Sequence, residues 1–230
     1  DTTLRDGVVY DGLWCSFYDC HMIELAQYTA DKAGLKREQL DAFSVKSQQK
    51  AAAAIADGRF DKEIAKVTIP QRKGDPIVVA RDESVRGDTT LEGLAKLGPV
   101  TKDKGGMITA GNAPGLNDGG AAVVLMSEAR VKATGAKPLG RVVAYATGGG
   151  EPKDLFFAPI DAVQKLMKKM NVRIDHFDLI EANEAFAAQA LADGNALGWD
   201  WERCNVWGGA VALGHPIGAS GTRVLITLLH

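Results

Sequence analysis

The chain has 230 residues, 46% of them hydrophobic and 24% charged, with a formal net charge of -2. This is the composition of an ordinary globular protein of one or two domains. The near-neutral balance and the lack of a basic tract argue against a nucleic-acid partner, and no apolar run approaches the ~20 residues of a membrane span.

In chain order, residues 1–105 read as mixed. Two helices are expected over 21–33 and 36–58, separated by Gly34 and ended by Gly58. Short strands are expected at 67–69 and 76–80, followed by a charged turn over 82–88. Residues 106–136 lead through a Gly/Asn/Asp loop into Ala121 to Met126, a continuous apolar run typical of a strand buried on both faces. A short helix is expected from Glu128 to Thr134. Residues 137–230 alternate strands (141–147, 177–182, 204–207) with helices (159–170, 184–197, 219–229). That alternation predicts βαβ units and a mainly parallel sheet, an α/β fold.

Cys15, Cys20 and Cys204 show no paired spacing. They fit a reducing compartment, with the cytoplasm as the expected location and a mitochondrion or peroxisome as alternatives, and give no disulfide framework or metal-site pattern.

Two corners concentrate the chemistry. Gly208 to Gly221 sets His215 in a loop of glycines and small residues ahead of a helical run. Imidazole is the side chain best suited to move protons near neutral pH, and Pro216 restrains the backbone just after it. The plain reading is a packed histidine in a tight turn. About thirty residues upstream, Asn183 stands where a buried strand passes into a helix, a corner at which α/β folds place binding and catalytic groups. Its plain reading is an N-cap.

Asn183-Glu184-Ala185-Phe186, followed by Gly208-Gly209-Ala210-Val211-Ala212-Leu213-Gly214-His215-Pro216-Ile217-Gly218-Ala219-Ser220-Gly221, resembles the thiolases, the acetyl-CoA acetyltransferases and 3-ketoacyl-CoA thiolases. Ala110 to Ala121, and Asp11-Gly12-Leu13 with Phe17 to Met22, resemble further thiolase segments, so the likeness runs essentially end to end. The resemblance implies a thiolase-like fold with an α/β loop domain that binds coenzyme A over 1–105, the end of an N-terminal domain over 106–136, and an incomplete C-terminal domain over 137–230.

It implies an acyl-CoA acyltransferase of fatty acid metabolism. The reaction is Claisen condensation of two acetyl-CoA to acetoacetyl-CoA, or the reverse thiolysis of a 3-ketoacyl-CoA. Acyl-CoA is substrate, no cofactor is tightly bound, and the protein is a homo-oligomer, dimer or tetramer. His215 is carried over as the group that activates a cysteine thiol. Asn183 is carried over as the holder of a water that, with the histidine, forms an oxyanion hole. Leu13, His21, Met22, Arg86, Ala110, Gly115, Leu116 and Phe186 are carried over as coenzyme A and substrate contacts. For Leu13 and Met22 the bland alternative is core packing, and for Arg86 a solvated charge.

Thiolases also use a nucleophilic cysteine and a second cysteine in a Cys-x-Gly setting, and none of the three cysteines here stands in either. The chain is therefore expected to be an internal fragment. Pro114 and Gly93 stand where many thiolases carry polar coenzyme A contacts, and Trp207 where they commonly carry Asn. Leu155 to Pro159 is bulky in the acyl-pocket region and implies a different chain-length preference. Two alternatives stand beside the enzyme: a sister condensing enzyme of the same fold, against which Asn183 argues, and a degenerate thiolase-like subunit that binds acyl-CoA or scaffolds a partner without catalysis.

Overall fold

The structure is a computed structural model describing residues 4–101 and 105–230. Residues 1–3 and 102–104, at the two ends of the expected 1–105 zone, lie outside the described residues. The elements in order are a π-helical turn Val8–Gly12, strands β1 (Trp14–Cys15) and β2 (Cys20–His21), helices α1 (Met22–Lys32) and α2 (Arg37–Ala56), strands β3 (Val67–Ile69) and β4 (Ile77–Val79), and helices α3 (Leu91–Ala95), α4 (Glu128–Thr134), α5 (Ala158–Met170), α6 (Ala187–Leu197), α7 (Ala210–Leu213) and α8 (Ile217–Leu229). Single 3-10 turns fall at Arg59–Lys62, Pro152–Phe157 and Ile174–His176.

Helix α1 begins where His21 Nδ1 accepts the Ile23 amide, so His21 caps the helix rather than starting it. It ends with Gly34 left-handed and Leu35 N–H donating to Ala30 O, the six-to-one bond of a Schellman stop. Its buried face, Leu25, Ala26, Thr29 and Ala30, packs against α6 and the 152–157 turn. Small side chains on both helices (Ala26, Ala30, Ala187, Ala188) allow that close approach. Phe156 and Phe186 meet edge to face at 5.4 Å in the same cluster. Burying one such ring contributes roughly 1.5–3 kcal/mol.

The buried stripe of α2 is half polar: Leu40, Asp41, Ser44, Ser47, Gln48, Ala51 and Ala54. A buried polar group is costly unless it is hydrogen-bonded, and each of these is. Asp41 accepts from Arg37 Nε (2.7 Å) and Asn112 Nδ2 (3.0 Å), and Ser44 donates to Leu40 O. Ser47 and Gln48 reach the loops of the C-terminal half. Helix α2 is thus the post to which several distant loops are tied.

The sheet departs from expectation. β1–β2 and β3–β4 are antiparallel pairs, and the parallel pairing among the described residues is a single bridge between Ile180 and Cys204. The strands expected over 177–182 and 204–207 are reduced to that bridge, and those at 121–126 and 141–147 have no ladder partner among the described residues. Val124 (81%), Leu125 (77%) and Val143 (68%) stand exposed. A strand exists only through a hydrogen-bonded neighbour, and a run apolar on both faces calls for cover on both sides. Among the described residues neither run has that cover.

Candidate functional site

The bridge at Ile180 brings the two corners together. Ile180 N–H donates to Arg203 O and Asn205 N–H to Ile180 O, both at 2.9 Å. The Asn205 side chain then takes over the ladder. Its Oδ1 accepts the Ala182 amide (2.8 Å) and its Nδ2 donates to Ala182 O (2.9 Å). Asn205 sits at φ 45°, a left-handed conformation that asparagine tolerates better than most residues. The next residue, Asn183, follows directly on this pinned segment. It is not an N-cap, because α6 begins only at Ala187 with Phe186 in the cap position. The plain reading of Asn183 fails on that point.

The His215 loop is shaped by close approach. Gly208, at φ 78°, lies so near α2 that a Cβ would come within 2.5 Å of Ser47 O and 2.7 Å of Ala51 N. Gly214, at φ 93°, faces Asn117, whose side chain a Cβ would overlap. Only glycine meets both demands at either position. Asn117 is itself held by donation to Ser84 Oγ at 2.8 Å. Pro216 caps α8, which begins at Ile217, two residues earlier than expected.

His215 Nε2 lies 3.4 Å from Asn183 Nδ2, and His215 Nδ1 lies 2.7 Å from Ser220 Oγ. The Ser220 hydroxyl donates to Pro216 O (3.0 Å), so its oxygen accepts from Nδ1–H. That assigns the tautomer: the proton is on Nδ1, and the Nε2 lone pair faces the Asn183 amide. Burial holds the imidazole below its ordinary pKa of 6.5, and the nearby Arg223 charge adds to the effect. The ring is therefore a neutral base at pH 7.

Around this pair lie buried acids. Burial pushes Glu181 up to about 8, with the Arg223 charge opposing and Glu184 adding to the rise. Burial also raises Glu184 and Glu63. Two of the three cysteines are buried, and Cys20 is half-buried. Burial, with the charges of Glu184 and Glu181, pushes Cys204 up to about 12, Cys15 is buried, and no disulfide is formed. Among the described residues there is no cluster of His, Cys, Asp and Glu able to hold a metal ion, and no helix long and apolar enough to cross a membrane.

The remaining expected residues fall in several parts of the fold. A Cβ at Gly12 would meet Ile217 Cδ1 at 3.3 Å, which sets the Gly12–Leu13 turn against the start of α8. Leu13 O accepts the Met22 amide, and His21 pairs with Trp14 across β1–β2. Met22 packs on the main core cluster, as its bland reading has it, and Phe186 lies inside that cluster. Arg86 is exposed, but its amide donates to Gln48 Oε1 (2.7 Å), and Gln48 Nε2 reaches Val211 O (3.3 Å). Ala110, Gly115 and Leu116 are exposed. Trp207 turns to Phe60 (5.6 Å, edge to face) in the cluster of Ala51, Ala54, Ala212 and Leu213, so its indole fills a core. A cleft of about 280 Å³ lined by Phe43, Lys46, Lys50, Trp201 and Cys204 reaches Glu184 but not His215.

Sequence reading misses Ser47, Gln48, Asn117, Glu184, Asn205 and Ser220. Ser220 stands one turn into the helix that follows the histidine, and its proximity could have been read from that spacing. The others act across long sequence separations.

The family model described as thiolase, N-terminal domain matches residues 1–129, and that described as thiolase, C-terminal domain matches residues 136–230. An acetyl-CoA acetyltransferase of Pseudomonas aeruginosa is 54% identical over 227 residues, covering 99% of this chain and 58% of that protein. Among solved structures, the acetyl-CoA acetyltransferase of Bacillus anthracis aligns at TM-score 0.95 with 40% identity, covering 100% of this chain and 58% of that one. Human mitochondrial 3-ketoacyl-CoA thiolase aligns at TM-score 0.95 with 39% identity, covering 100% and 57%. The chain thus spans somewhat more than half the length of the proteins it matches. Its α/β fold is the thiolase fold in part, and the chain belongs to the thiolase family.

Proposed function

We propose that the protein carrying this chain is an acyl-CoA acyltransferase that condenses two acetyl-CoA to acetoacetyl-CoA and cleaves 3-ketoacyl-CoA with coenzyme A in reverse. The observation that carries this reading is the Asn183–His215 pair: a neutral imidazole whose Nε2 lone pair faces the Asn183 amide, held from behind by Ser220. His215 Nε2 takes the proton of a cysteine thiol, which makes the thiolate that attacks the acyl carbonyl. The imidazolium so formed donates, with a water held by Asn183, to the oxygen on which charge develops. The nucleophilic and second cysteines match no position of this chain. Residues 1–105 act as the coenzyme A-binding loop domain, 106–136 as the end of the N-terminal domain and 137–230 as part of the C-terminal domain. Leu13, His21, Met22, Arg86, Ala110, Gly115, Leu116 and Phe186 serve the substrate side. Acyl-CoA binds as substrate without a resident cofactor, and the protein works in the cytoplasm as a homo-oligomer.

Alkylation of the nucleophile in the full-length protein tests the two roles separately. His215→Ala slows alkylation because thiolate formation depends on the base. Asn183→Ala leaves alkylation near the wild-type rate while turnover falls. Wild-type alkylation and near-normal turnover in both variants would make the two corners structural and sink the proposal.

A further inference from the structure

We propose that Glu184 is the positioning residue of this site: its carboxylate joins α2, Asn205 and the 209–211 backbone, and so sets Asn183 against His215. This inference rests on the functional reading above.

Glu184 is 1% exposed and shares a motif with Asn183, yet it points away from the surface. Its Oε2 accepts from Ser47 Oγ (2.8 Å) and from the Val211 amide (3.0 Å), and its Oε1 accepts from Asn205 Nδ2 (2.8 Å). The Gly209 amide donates to Ser47 Oγ at 3.1 Å, which commits the Ser47 proton to Glu184. Three donors therefore converge on one carboxyl. Burial raises its pKa, and these same three donors oppose the rise. Charge-assisted bonds of this kind are about twice as strong as neutral ones.

Each donor belongs to a segment that the site depends on. Asn205 is the residue whose amide fixes Ala182, the neighbour of Asn183. Val211 and Gly209 lie four and six residues before His215, in the turn that delivers it. Ser47 belongs to α2, the post against which Gly208 is pressed. A Cβ at Gly209 would overlap the Glu184 carboxyl, so the loop and the acid are fitted to each other. Removing the carboxylate cuts the bonds that tie Ser47 and Val211 to the Asn183 corner, and leaves that corner held to its neighbour by the Ile180–Cys204 bridge and the Asn205–Ala182 bonds.

The donor set also says why glutamine is no substitute. In Glu184→Gln the new side-chain amide must turn its NH2 either toward Asn205 Nδ2 or toward Ser47 and Val211, and each choice sets donor against donor. Asn205 cannot flip to relieve this, because its Oδ1 already accepts from Ala182 N–H.

The test uses the full-length protein. Glu184→Gln keeps the side chain's size and breaks the donor match. Ser47→Ala removes one link and leaves the carboxylate. The readouts are kcat and KM for acetoacetyl-CoA thiolysis per alkylatable site, and the NMR resonance of the His215 ring, assigned by its loss in His215→Asn. Glu184→Gln is expected to lower kcat roughly 10- to 100-fold through misplacement of the pair, and Ser47→Ala by less. KM should stay within about threefold, and both variants should shift the ring resonance. A residue that only stabilises the fold would lower the yield of folded protein and leave kcat per site and the His215 resonance at wild-type values, which would overturn the inference. If Glu184→Gln does not fold, Ser47→Ala decides by the same readouts. If the wild type does not cleave acetoacetyl-CoA, the functional reading falls, and the ring resonance alone decides the positioning claim.

Discussion

Ser220→Ala removes the partner of His215 Nδ1 and little else. The Pro216 carbonyl that Ser220 Oγ bonds also accepts the Ala219 amide (2.8 Å) and the Ser220 amide (2.9 Å), so the start of α8 keeps its main-chain bonds. The loss is the Nδ1–H···Oγ contact at 2.7 Å, and with it the bias that leaves Nε2 unprotonated. A neutral hydrogen bond contributes about 0.5–1.5 kcal/mol net, and about 1.4 kcal/mol is a factor of ten in rate. Thiolysis should therefore slow by about 2- to 10-fold in kcat, with KM nearly unchanged, because the bond prepares the base and does not bind substrate. The assay is initial rate against pH in the full-length protein. In the wild type the rate should fall on acidification through a pKa below 6.5, since burial and Arg223 both favour the neutral ring. In the variant the plateau at neutral pH should drop. A wild-type plateau, or a change confined to KM, would refute the tautomer assignment.

Two further outcomes follow. Glu181 has its pKa raised from 4.5 to about 8, so the folded state holds a proton that the unfolded state releases between those values. Stability should be fully present below about pH 4.5 and decline as pH rises toward 8, by on the order of a few kcal/mol. Urea midpoints at about pH 5 and about pH 8 should differ less in Glu181→Gln than in the wild type, and an unchanged difference would contradict the assignment. The isolated 230-residue chain should show no thiolysis. Its cysteines are buried at Cys15 and Cys204, with Cys204 pushed up to about 12, and Cys20 lies in β2. Turnover surviving replacement of all three would contradict the mechanism.

Periodicity places the helices well because helical contacts are local. Glu128–Thr134 is read to the residue, and α1, α2 and α5 to within two. The parallel sheet is legible only as a demand. Val124 and Val143 carry the apolar character of buried strands, but a ladder depends on neighbours that a local pattern cannot supply. The start of α6 is misplaced because Asn183 and Glu184 look like a helix entry. Their side chains instead serve His215 and the Ser47–Asn205–Val211 cluster, and the helix waits until Ala187. The buried face of α2 is hidden for a related reason. Asp41, Ser44, Ser47 and Gln48 are polar, and only the loops that bond them reveal their face as interior. Asn183 and His215 are legible because the motif sets each at a corner. Ser220 and Glu184, which hold them there, act through geometry that emerges only when the chain is folded.

The most direct measurement is coenzyme A-dependent cleavage of acetoacetyl-CoA by the full-length protein, wild type against His215→Ala. A general base contributes about 10²–10⁴-fold and one oxyanion donor about 10²–10³-fold. The two effects overlap in one residue and do not multiply. The account predicts a wild type that turns over and a variant slower by at least about 100-fold. A variant within about threefold of the wild type would contradict it, because His215 would then carry no proton that the reaction needs.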